Sequence, residues 1–159
     1  MFNVGDKIVY PMHGAGVIES IEEKEILGEK QSYYVLKMPV GDMKVMIPID
    51  NVDEIGIREV INPKEVDKVF AVLGSQTMNV TSNWNKRYRE NMTKIKSGNI
   101  YEVAEVVGTL MLRDKEKGLS TGERKMLNSA RQILISELVL AKGVNQDEVE
   151  DRINDQIKI

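Results

Sequence analysis

Between residues 56 and 62 the chain changes from one side-chain periodicity to another, and no single secondary structure satisfies both. Upstream, KIVY (7–10), GAGVIESI (14–21), YYVLKM (33–38) and KVMIPI (44–49) are short and rich in β-branched or aromatic residues. Such residues fit a pleated, half-buried surface. VDEIGI (52–57) is a candidate fifth strand. Turn-forming residues separate these segments at 11–14, at Leu27-Gly28 and at Val40-Gly41-Asp42. Five short strands within residues 1–60 imply a small, strongly bent antiparallel barrel of SH3 or Tudor type. A unit of this size buries a small share of its surface, so a neighbour should support it.

Downstream the pattern is helical. Asn62-Pro63-Lys64-Glu65 places a capping Asn before a Pro at the first helical position. Val66, Val69, Phe70 and Leu73 follow at the spacing of one helical face, and Gly74 closes the segment. A polar loop, SQTMNVTSN (75–83), precedes a second helix from about Asn83 to Lys96. A third runs from Ile100 to Lys117, with Ile100, Val103, Ala104 and Val107 on one face. Ser120-Thr121-Gly122-Glu123 is a capping box that opens a fourth, which ends at Gly143. Asn145 caps a last amphipathic helix carrying Val149, Ile153 and Ile157. The expectation is an α+β chain: a β-module over 1–60, then a compact bundle of about five helices over 61–159.

Composition excludes much chemistry. The 159 residues include one His and no Cys, which removes disulfides, thiolate zinc sites, Cys nucleophiles and His-cluster metal sites. No P-loop, GxGxxG or GxSxG motif is present. His13-Gly14-Ala15-Gly16 loosely resembles an oxyanion loop, but no Ser nucleophile or acid pairs with it. It reads as a structural turn. Neither an enzyme nor a cofactor or metal is expected. No run approaches the roughly 18 apolar residues of a membrane span, and MFNVGDKIVY lacks a secretion signal. A cytoplasmic protein without a membrane partner is expected. Charge is unevenly spread: residues 1–60 hold 6 basic and 11 acidic residues, whereas 82–131 hold 11 basic and 6 acidic. One moderately basic zone in an acidic protein fits a polyanion partner or a solvated helix surface.

The densest chemistry is SNWNKRYREN (82–91), with the only Trp, a Tyr and three basic residues. Trp84, Tyr88 and Met92 share a face at i, i+4 and i+8, flanked by Arg87 and Lys94 on one side and Arg89 and Lys96 on the other. One reading makes Trp84 the first residue of a buried face, with the charges snorkelling. The other makes it an exposed plane in a cationic frame, suited to phosphates and parting bases. Lys115, Lys117, Arg124 and Lys125 surround the Gly118 turn and offer a second cationic patch.

Along nearly its whole length the chain resembles the CarD/CdnL family of bacterial transcription regulators. The resemblance runs through VGDKIVYPMHGAGVI, VLKM, IPIDN, DKVFAVL, NWNKRYREN, VAEVV, RDKEKGLSTGERKMLNSARQIL and SEL. It implies a Tudor-like N-terminal module that docks on the β subunit of RNA polymerase. It also implies a helical domain that meets promoter DNA in the minor groove at the upstream edge of the melted bubble, largely independent of base sequence. The family is thought to stabilise the open promoter complex. Position by position, the resemblance implies that Trp84 is the wedge. It implies DNA contacts by Lys86, Arg87, Arg89, Lys117, Arg124 and Lys125, and polymerase contacts by Lys24, Ile26, Met46 and Pro48. The family's V-R-V-P segment is V-M-I-P here (45–48), so Met46 stands where an Arg is often found. That contact is apolar in this chain, or the polymerase residue opposite differs too. A monomer, associated with the nucleoid through polymerase, is expected. The competing reading is a Tudor-type protein-interaction adaptor without direct DNA action. It requires an aromatic cage, for which Tyr10, Tyr33 and Tyr34 are the candidates.

Overall fold

A computed structural model describes residues 2–77 and 83–157, so most of the expected loop over 75–83 (residues 78–82) lies outside the described residues. Five strands, β1 (Lys7–Tyr10), β2 (Gly14–Ile26), β3 (Glu29–Lys37), β4 (Lys44–Pro48) and β5 (Arg58–Glu59), form one antiparallel sheet in the order β4-β3-β2-β1-β5. This is a meander whose last strand returns beside the first, as in SH3 and Tudor barrels. The long β2 serves both halves. Its start pairs with β1, its length pairs with β3, and a register shift between Ile18 and Ser20 bends it. Alternation in β3 turns Tyr34 and Leu36 inward onto Ile8, Ile18 and Ile47.

The turn between β1 and β2 is tight. The His13 N–H donates to the Tyr10 carbonyl, with Pro11 and Met12 between them. Met12 sits at φ 74°, where Gly is usually favoured.

The expected fifth strand over 52–57 is not a strand. A 3-10 turn over Ile49–Asn51 leads into a single helical turn, α1 (Val52–Ile55), ended by Gly56 at φ 84°, and the fifth strand comes later as β5. Val52 and Ile55, three residues apart, face the barrel core together only in a helix.

The remaining helices are α2 (Val66–Gly74), α3 (Trp84–Lys96), α4 (Ile100–Glu116), α5 (Thr121–Lys142) and α6 (Gln146–Gln156). Asn62, Asn83, Asn99, Ser120 and Asn145 each accept a backbone N–H at the helix start that follows. The Val66, Val69, Phe70 and Leu73 face of α2 is buried with Val103, Ala104 and Val107 of α4 and Ala130, Leu134 and Leu138 of α5. Arg152 ties α6 to α2. It pairs with Asp67 at 2.7 Å, which holds that carboxyl below the usual aspartate range, and lies 4.0 Å over the Phe70 ring.

One helix joins the sheet to the bundle. The buried Ala15 N–H donates to Ser136 Oγ of α5 at 2.8 Å. Gly14 sits at φ 112°, and a Cβ there would lie 2.8 Å from that same oxygen, so both backbone shape and space demand glycine. Next to it, Arg58 of β5 meets Glu137 of α5 as a fork, with both N–H···O distances 2.7 Å. The Ile61 N–H donates to Glu137 Oε2 at 3.0 Å, and Arg58 Nε donates to the Gly98 carbonyl at 2.9 Å. Glu137 is 1% exposed. Removing one partner of a buried ion pair leaves an uncompensated charge. Arg58→Ala, which leaves the buried Glu137 carboxylate without its counter-charge, should therefore cost about 3–5 kcal/mol in urea denaturation. Arg58→Lys, which keeps the charge and loses the fork, should cost less.

Candidate functional site

The first turns of α3 and α5 meet, and Trp84 sits where they touch. Asn83 caps α3 by accepting the Lys86 N–H at 3.2 Å, which places Trp84 in the first turn with no preceding helical turn to cover it. The indole stacks on Tyr88, with ring centroids 5.0 Å apart and planes 21° apart. Tyr88 and Met92 continue that face into the bundle core. The indole Nε1–H donates to Ser120 Oγ, the cap of α5, at 3.0 Å. Trp84 remains 40% exposed. Core and surface readings of this face thus each describe a part of it: Tyr88 and Met92 pack inward, and Trp84 ends the row in the open.

The cations divide into two groups. Arg87 points inward: it is 7% exposed, and its guanidinium lies 3.7 Å from the buried Glu123 carboxylate of α5. Here the structure differs from the expectation of a surface cation. Seven-residue spacing put Arg87 and Lys94 on one flank, but the approach of α5 covers the Arg87 end of it. Lys94 pairs with Glu105 at 3.0 Å. Lys86, Arg89, Lys117, Arg124 and Lys125 are exposed. Arg124 pairs with Asp114 at 2.7 Å, and Lys115 donates to the Ile157 carbonyl at 2.7 Å. Two helix N-termini, with their positive dipole ends, converge here beside these cations.

The sequence marked Ser120 and Glu123 as a capping box. Ser120 Oγ does accept the Glu123 N–H, at 3.2 Å, but Glu123 Oε1 faces the Ser120 hydroxyl at 3.3 Å. Glu123 Oε2 is turned to Arg87. Nothing in the local sequence signals that Ser120 also receives the indole. That contact joins residues 36 apart.

On the sheet, Lys24, Ile26, Met46 and Pro48 are brought to one face. Pairing aligns Ser20, Val35 and Met46 in one row, and Glu22, Tyr33 and Pro48 in the next, with Lys24 and Ile26 continuing the alternation along β2. The strip from the Met46 row to Ile26 is roughly 20 Å long. Ile26 is 55% exposed, and β4 is an edge strand of the sheet. Tyr10, Tyr33 and Tyr34 form no cage. Tyr34 is buried in the barrel and its hydroxyl accepts the Phe2 N–H, while Tyr33 faces the other side. Tyr10 packs edge-on against His13 at 4.1 Å. Partial burial holds the His13 pKa below the usual histidine value.

Comparison with known proteins agrees with this architecture. A family model described as CarD-like/TRCF RID domain matches residues 2–61, and one described as CarD, C-terminal domain matches residues 68–154. This chain belongs to the CarD-like family of transcription factors. A relative from Bacillus subtilis, "Putative transcription factor YdeB", is 46% identical over 149 residues, covering 94% of this chain and 97% of that protein. A solved structure, CdnLNt from Myxococcus xanthus, is 46% identical and covers 38% of this chain and 86% of that one, with a TM-score of 0.34. In this CarD-like chain the first match ends just after β5 and the second begins within α2. Among the described residues no helix is long and apolar enough to cross a membrane.

Trp84 should therefore behave as a surface-edge residue. A buried Trp truncated to Ala typically loses about 3–5 kcal/mol. Trp84→Ala should lose clearly less, about 1–2 kcal/mol, in the same urea assay in which Leu134→Ala falls in the core range of about 2–5 kcal/mol.

Proposed function

We propose that this CarD-like chain docks on the RNA polymerase β subunit through its sheet and stabilises the open promoter complex with Trp84. The observation that carries the reading is a half-exposed indole at the meeting of two helix N-termini, amid exposed Lys86, Arg89, Lys117, Arg124 and Lys125. An aromatic plane can wedge into a minor groove and stack where bases part, and cations around it hold the flanking phosphates. With Arg87 turned inward, its part is to brace α3 against α5. The remaining cations are few, so affinity for DNA alone is weak and salt-sensitive. Attachment to polymerase raises the effective concentration at the promoter.

The sheet supplies that attachment. An open edge strand can extend a partner's sheet by backbone hydrogen bonds, and alternate side chains give specificity. The face bearing Lys24, Ile26, Met46 and Pro48 flanks such an edge. Agreement with the RID domain family model over residues 2–61 supports polymerase as the partner. Residues 1–60 are the docking module and 61–159 the DNA-contacting part.

Two measurements test this. Ile26→Glu should weaken binding to purified core polymerase at least tenfold without lowering the melting temperature. Wild-type binding by this variant would remove the sheet face from the interface. Replacing Arg89 or Lys117 by Ala should weaken DNA contact similarly across promoters and lower the salt slope by about one. A sharp change in promoter preference at constant slope would show base readout instead.

A further inference from the structure

If Trp84 is the wedge, its orientation before DNA arrives decides how much of its stacking is realised. A ring free to swing loses rotamer freedom on insertion, and a ring already held does not. Three features hold this one. The stack on Tyr88 covers part of the indole, and Tyr88 is in turn seated on the core. Ser120 Oγ takes the indole N–H at 3.0 Å, and is itself fixed by the Glu123 N–H at 3.2 Å and by its hydroxyl at 3.3 Å from Glu123 Oε1. Gly122, in the first turn of α5, lies beside the ring: a Cβ there would sit 3.4 Å from Trp84 Cζ2 and 3.9 Å from Tyr88 Cε2. Its backbone φ is an ordinary helical one, so the glycine serves space rather than conformation. Alanine would just fit, and a longer side chain would push the indole away.

We propose that the first turn of α5 presets the indole of Trp84 for DNA, with Ser120 and Gly122 as positioning residues. The proposal rests on Trp84 acting at the promoter. The test uses the full-length chain, in which Trp84 is the sole fluorescent Trp. Acrylamide quenching reads ring freedom without DNA, and open-complex lifetime with polymerase reads the wedge.

Ser120→Ala should make the indole more quenchable and shorten the lifetime about threefold, the effect of one neutral hydrogen bond. Ser120→Thr, which keeps hydroxyl and cap, should restore both. In a Trp84→Phe background, Ser120→Ala should shorten the lifetime no further, although loss of the cap lowers the melting temperature in both backgrounds. Gly122→Leu should raise quenching, with the better helix propensity of Leu offsetting much of the lost indole packing in the melting temperature. Unchanged quenching in Ser120→Ala, or an equal lifetime loss in the Trp84→Phe background, would overturn the positioning role while leaving the wedge intact. A Trp84→Ala variant with wild-type lifetime would overturn both.

Discussion

The carboxylate of Glu137 is buried in the C-terminal third of α5, and a buried charge is tolerated only when fully paired. Its partners come from the other half of the chain: both Nη atoms of Arg58 and the Ile61 N–H. Meeting that demand dictates the path of residues 58–61, brings β5 beside β1, and seats the Gly98 carbonyl on Arg58 Nε. Ser136, one residue earlier, receives the Ala15 N–H. The sheet is thus held to the bundle by directional hydrogen bonds, which admit one geometry, and not by apolar contact alone.

The same helix sets the distance between the two candidate surfaces. From Ser120, which holds the indole, to Glu137, which holds the sheet, α5 runs roughly 25 Å at 1.5 Å per residue. A continuous helix packed along its length against α4 and α6 bends little. On the proposed reading, in which the protein bridges polymerase and DNA, such a strut would convert docking at one end into placement at the other. Binding energy gained by the sheet would then help to place Trp84, and little intrinsic DNA affinity would be required.

Electrostatics are consistent with the proposed division of labour. The basic zone over 82–131 carries a modest excess of cations, and several are engaged within the protein. Arg87 faces Glu123, Lys94 faces Glu105, Arg124 faces Asp114 and Lys115 caps a carbonyl of α6. The exposed cations gather near the α3–α5 junction beside the aromatic ring. On the proposed reading, a surface of that kind would hold a phosphate backbone at one point rather than read bases in the major groove.

Much of the architecture was legible in the sequence because it is local. Helix starts at Asn62, Asn83, Ser120 and Asn145 are written in capping residues, and the α2 face in the spacing of Val66, Val69, Phe70 and Leu73. The four longer strands sit on the β-branched and aromatic runs, although β2 and β3 extend beyond them, to Ile26 and from Glu29, through largely polar residues that carry no such pattern. The placing of Trp84 in a first turn follows from the Asn before it. Local pattern failed where packing chose between near-equal options. The VDEIGI segment became a helical turn because that puts Val52 and Ile55 on the barrel core together. Arg87 went inward because α5 brings Glu123 to it across 36 residues. Ser120 gained the indole across the same separation, and Glu137 gained Arg58 across 79. Periodicity reports which side of an element is apolar, a property of neighbours in the chain. Which buried polar group meets which is decided only when distant segments close on each other and each must satisfy its hydrogen bonds with whatever the fold has delivered.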